Sequence, residues 1–145
     1  MIKTAAFKYI VFCVLFITAA AFTFDKPWKE SQLIEPKALA DILEGPKSKH
    51  PVILNMGTMP PIKSAQMVGI GSTTHGMNKL KEVAATLDKK SEVVVYCGCC
   101  TMDNCPNVKP AMDYLTAQGF KNAKILNIKT DLNVDWTNKG YPMAN

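Results

Sequence analysis

One stretch constrains this chain more than any other: Val93-Val-Val-Tyr-Cys97-Gly-Cys-Cys-Thr-Met-Asp-Asn-Cys105-Pro-Asn-Val-Lys-Pro. Three valines and a tyrosine, β-branched and aromatic, read as a short buried strand that ends at Cys97. Pro106 is a good first residue for a helix, because its φ is already set and its missing N–H has no partner to lose there. The segment is therefore a strand–loop–helix unit whose loop holds Cys97, Cys99, Cys100 and Cys105. A helix N-terminus directs unpaired N–H groups and a positive dipole end at the preceding loop, which favours a thiolate. Chemistry in this chain is expected to be sulfur chemistry at that loop.

Around this unit the patterns alternate. Trp28 is a packing anchor in an extended opening segment. Pro36 begins a helix over 37–43, with Leu39, Ile42 and Leu43 on one face, closed by Gly45-Pro46. Val52–Asn55 reads as a strand and Met67–Ile70 as a weaker one. His50, before Pro51, reads as turn. Thr73 or Thr74 caps a helix in which Met77, Leu80, Val83, Ala84 and Leu87 recur at core-packing spacing. Pro106–Gln118 reads as a helix with Val108, Met112 and Leu115 inward, closed by Gly119. Ala123–Ile128 is a strand, and Leu132–Lys139 holds a last short helix stopped by Gly140. Strands alternating with helices predict an α/β fold, a single domain with a central, mostly parallel sheet flanked by helices. Ligands of such sheets bind outside the carboxyl ends of the strands, where Cys97 falls.

Residues 1–21 read as a signal peptide. Lys3 and Lys8 supply the positive start, Tyr9–Thr18 is almost wholly apolar, and Ala19-Ala20-Ala21 offers a cleavage site. The domain is then 22–145, exported to the periplasm or secreted. Contact with a membrane is expected only if the N-terminal segment stays uncleaved. Loss of the two early lysines lowers the formal charge from +5 to +3. The other lysines are scattered, without the basic stripe that nucleic acid needs, so no nucleic-acid partner is expected. All 17 basic residues are lysine. Without arginine there is no planar, two-pronged clamp for an oxyanion, which excludes a Cys-x5-Arg phosphatase loop. Export implies an oxidising compartment, where a local disulfide that merely stiffens the loop is one reading of the cluster. Four cysteines so close together would staple little else.

Taken in order, several pieces resemble the rhodanese-like sulfurtransferase domains. Val52-Ile-Leu-Asn55 falls where that family has its Asp-containing strand, and Val93-Val-Val-Tyr-Cys97 matches the strand that ends in the active cysteine. Tyr114-Leu-Thr-Ala-Gln-Gly-Phe120 resembles the end of the following helix. Lys124-Ile-Leu-Asn127, Asp135-Trp136 and Gly140-Tyr-Pro-Met143 resemble the final strand and closing segment. Two departures stand out. The family strand usually continues Asp-Val-Arg, where this chain has Asn55-Met56-Gly57. The active loop is longer than usual and carries three extra cysteines.

The resemblance implies a sulfurtransferase in which Cys97 is the nucleophile and carries sulfane sulfur as a persulfide. Its partners are a small sulfur donor and a thiophilic acceptor, with a thiol-redox partner besides, and no cofactor is expected. Cys99, Cys100 and Cys105 are candidate resolving or relay thiols. Candidate substrate-binding residues are Lys109, the cation nearest the loop, with Asp103, Asn104 and His75; Asp103 and Asn104 are expected to shape the loop by bonding its backbone. Bland alternatives stand beside these: Cys97 as a small buried hydrophobe, Lys109 as a solvated lysine, His75 as a surface residue. A non-catalytic sulfur carrier is an alternative on the same fold. So is a thiol–disulfide protein, or a soft-metal site of Cys97, Cys99, Cys100 and Cys105 to which Met59 and Met102 would add.

Overall fold

The computed structural model describes residues 27–145; the signal-peptide reading lies outside them. Five strands form one sheet: β1 (Leu33–Ile34), β2 (Val52–Asn55), β3 (Ala65–Met67), β4 (Val93–Tyr96) and β5 (Ala123–Leu126). Their spatial order is β1-β5-β4-β2-β3, and every pair is parallel. Among the described residues the α-helices are α1 (Pro36–Glu44), α2 (Thr74–Ala85), α3 (Val108–Ala117) and the single turn α4 (Leu132–Asp135). None of the described helices is long and apolar enough to cross a membrane.

Parallel strands need crossovers: α1, α2 and α3 supply those into β2, β4 and β5, a loop over 56–64 joins β2 to β3, and the helices cover both faces. Alternation along β4 sends Val93, Val95 and Cys97 to one face, with Leu80 and Ala84 of α2 and Val108, Met112 and Leu115 of α3. Val94 and Tyr96 face the other way, onto Leu39 and Leu43 of α1 and Leu132 and Trp136 at α4. Trp28 closes the first core, its indole N–H donating to Met102 O at 3.4 Å. Full burial on both faces explains why β4 carries four apolar residues in a row.

Local chemistry sets most boundaries. Pro36 opens α1. Thr73 caps α2, its hydroxyl accepting from Gly76 N at 3.0 Å. Gly119 at φ +86 ends α3. Three expectations shift. The strand expected at Met67–Ile70 is instead Ala65–Met67, because Gly69 turns at φ +123 and the N–H groups of Val68 and Gly69 both return to Asn55 O. β3 is a half-polar edge, and the apolar residues that follow it belong to the turn. The helix expected from Pro106 begins at Val108, with Pro106 and Asn107 in the turn before it. The helix expected over Leu132–Lys139 breaks at Trp136 (φ −132, ψ −65) into α4 and a 3-10 turn, Thr137–Lys139.

Candidate functional site

Cys97 follows the last residue of β4, the sheet's middle strand, and is buried. Gly98 comes next at φ +83, in the left-handed region that side-chain-bearing residues avoid. That turn brings Cys99 Sγ to 3.1 Å from Cys97 Sγ. It is braced from α4: Leu132 N donates to Gly98 O at 2.9 Å, and a Cβ on Gly98 would meet Leu132 Cβ at 3.0 Å.

Two residues close over the thiol. Gly57 stands where the family's arginine would be expected, and a Cβ there would lie 2.6 Å from both Cys97 Sγ and Cys97 O. The absent side chain is what lets the backbone approach so closely. Asn55 holds this turn: its Oδ1 accepts from Gly57 N at 2.9 Å, and its Nδ2 donates to Met59 O at 2.8 Å. On the opposite side Asn107 Nδ2 donates to Cys97 Sγ at 3.2 Å, while its Oδ1 accepts from Ser72 N at 2.9 Å. Gly71 makes room for that arrangement, since a Cβ on it would strike Asn107 O at 2.2 Å.

The electrostatics follow from the donors. The Cys105 thiol beside it, then the Asn107 amide and the N–H and thiol of Cys99, hold the Cys97 thiol down at about 5 against the opposing cost of burial. Cys97 is thus a thiolate at neutral pH. Its neighbours are thiols: partial desolvation of an otherwise exposed side chain, then the Cys97 and Cys100 sulfurs, push Cys99 up to about 12. Cys105 is pushed far up by its hydrogen bond to Cys97 and by burial. One negative charge is shared by several S–H and N–H donors.

The extra thiols divide. Cys97, Cys99 and Cys105 have sulfurs within 4.8 Å of one another, and Cys100 is outside this trio. Cys100 Sγ lies 3.6 Å from Cys99 Sγ. The four-cysteine metal set expected from sequence is thus a set of three among the described residues. Beside the sulfurs is a void of about 10 Å3, lined by Tyr96, Cys97, Gly98, Cys100, Met102 and Cys105 among others. That is room for about one water-sized atom.

The expected substrate-binding residues do not line this void. Lys109 is paired with Asp113 at 2.7 Å on the exposed side of α3. His75 is exposed in the first turn of α2. Asp103 and Asn104 form a 3-10 turn, Met102–Asn104. Asn104 Nδ2 donates to Thr101 Oγ1 at 3.2 Å, a side-chain partner in place of the expected backbone one. Asp103 faces a separate cavity with Trp28 and Lys129. A cavity of about 630 Å3 lies among Gly45, His50, Ser64 and the last residues, and no cysteine lines it. Asn107 is the site residue that sequence reading missed. With Pro106 read as the first residue of the helix, Asn107 fell inside it and nothing in the local pattern marked it.

The chain is a parallel α/β sheet with a buried cysteine, set among S–H and N–H donors, at the carboxyl end of its middle strand. No family profile and no curated protein matches the chain. Among solved structures, the solution NMR structure of a rhodanese-like domain from Anabaena sp. is similar, with a TM-score of 0.55, 18% identity and 79% of each chain covered. The fold is rhodanese-like.

Proposed function

We propose that this protein is an exported sulfurtransferase in which Cys97 accepts sulfane sulfur as a persulfide. The observation that carries this reading is the placement of Cys97 at the end of β4 of a rhodanese-like fold, with Asn107 Nδ2 at 3.2 Å and Cys99 Sγ at 3.1 Å from its sulfur, donors that favour the thiolate. The thiolate attacks the outer sulfur of a donor persulfide. The donor's S–S bond breaks, its thiolate leaves, and Cys97 carries the added sulfur. The Asn107 amide and the Cys99 N–H offer hydrogen bonds to the sulfur throughout. An acceptor thiol then removes the outer sulfur. Cys97→Ser is expected to lose sulfur uptake with an unchanged circular dichroism spectrum; undiminished uptake would reject the assignment. Export is tested by N-terminal sequencing, which should begin near Phe22.

A soft metal is the second reading, favoured by the convergence of three sulfurs within 4.8 Å. Thiolates without imidazole or carboxylate select such ions. Native mass spectrometry of the freshly isolated protein separates the readings: a bound ion at fixed stoichiometry supports the second, and one added sulfur the first.

A further inference from the structure

We propose that Cys99 resolves the Cys97 persulfide, so that the loop reduces sulfane sulfur to sulfide and is left with a Cys97–Cys99 disulfide. This rests on the sulfurtransferase reading and gives it a direction: the product is sulfide, and the consumed partner is an external dithiol.

The argument begins with distance. Cys99 Sγ lies 3.1 Å from Cys97 Sγ, so forming a disulfide of about 2.05 Å closes a gap of about 1 Å. Gly98, at φ +83, already holds the tight backbone turn between the two. The other thiols are worse placed. Cys105 is buried and serves as a hydrogen-bond donor to Cys97. Cys100 contacts Cys99. Cys99 is exposed whereas Cys97 is buried, so the product disulfide presents an outside sulfur to a reductant.

The step balances. The Cys99 thiol attacks the inner sulfur of Cys97–S–SH, and its proton passes to the departing sulfide. The Cys97–Cys99 bond forms, the inner-to-outer S–S bond breaks, and hydrosulfide leaves with the electron pair. The sulfane sulfur is reduced by two electrons, and the two cysteines are oxidised by two. An external dithiol then attacks Cys99 Sγ and restores both thiols, becoming a disulfide itself.

The test loads the reduced full-length protein with a stoichiometric thiol persulfide, without other thiols, and follows sulfide and intact mass. The parent is expected to release one sulfide per chain and to lose two hydrogens, with the Cys97–Cys99 link found by peptide mapping. Cys99→Ser should instead keep one added sulfur on Cys97 and release sulfide only when a dithiol is supplied. Cys100→Ser should behave as the parent. A parent that keeps its added sulfur without forming a disulfide overturns the proposal and leaves the sulfurtransferase reading intact. Persulfide retention by Cys100→Ser, with release by Cys99→Ser, overturns the choice of resolving thiol. If neither the parent nor Cys99→Ser takes up sulfur, the sulfurtransferase reading fails, and this inference with it.

Discussion

Asn107 spends both ends of its amide on the site and none on its helix. It occupies the N-cap position of α3, yet it makes no side-chain cap bond there. Its Nδ2 goes to Cys97 Sγ and its Oδ1 to Ser72 N. A hydrogen bond to a charged group is worth about 1.5–3 kcal/mol, which corresponds to about 1–2 pH units of thiolate stability. Asn107→Ala is therefore expected to raise the Cys97 midpoint by about 1–2 units, read from the ultraviolet absorbance of the thiolate during a pH titration. An unmoved midpoint would assign the thiolate's stability to Cys105 and to the N–H and thiol of Cys99. The sign for the parent follows from the same lowering. Sulfur uptake should persist through neutral pH and fail as pH drops through about 5, where the thiol form takes over. At this scale the sequence was only partly legible. Cys97 was visible because a buried strand ended on it. Asn107 was not, because its partners lie on the loop after β3 and at the end of β4, and no local pattern records such a meeting.

Among the elements, α4 contributes most to the site for its size. It is a single turn, held by Asp131 Oδ1 accepting from Val134 N and by Asp135 Oδ2 accepting from Lys129 N and Thr130 N. Its first residue, Leu132, braces Gly98 by a hydrogen bond and by close packing. Gly98→Ala asks a side-chain-bearing residue to hold φ +83 while its Cβ presses to 3.0 Å on Leu132. The left-handed conformation alone costs about 1–2 kcal/mol, so a total loss of about 1–3 kcal/mol is expected in urea unfolding. The Cys99 N–H would shift with the turn, so the Cys97 midpoint should rise as well. Full stability in this variant would show that α4 yields easily and does not brace the loop. Elements rich in apolar residues were legible beforehand: β2, β4, β5 and the inward faces of α2 and α3. The misplaced ones share a cause. β3 is a polar edge fixed by its ladder to β2, and the end of α4 is fixed by the burial of Trp136, whose indole N–H donates to Pro142 O at 3.1 Å.

Across the whole molecule, charge and topology decide which donor the proposed sulfur transfer would favour. A parallel sheet covered on both faces leaves its strand ends as the natural place for a ligand, and alternation of strands and helices made that arrangement readable from sequence. Charge was readable too, in that the chain contains no arginine. What sequence did not reveal is how completely the cations stay away. Lys109 is bound to Asp113 on the outer face of α3, and the void beside Cys97 is lined by sulfur, aromatic and aliphatic groups. Gly57, where the family's arginine would be expected, brings bare backbone against the thiol. A dianion such as thiosulfate would approach an existing thiolate with no full positive charge among the lining residues to offset the repulsion. A thiol persulfide delivers the same sulfane sulfur with less charge and an apolar remainder. The missing charged contact is worth about 1.5–3 kcal/mol, or about 10- to 100-fold in rate. Catalytic efficiency with a thiol persulfide is therefore expected to exceed that with thiosulfate by at least about 10-fold, with one acceptor thiol common to both assays. Lys109→Ala should leave the ratio unchanged, because that ammonium is already paired and faces elsewhere. A preference for thiosulfate, or a ratio that moves with Lys109, would mean that the loop's N–H groups and Lys109 reach the donor after all.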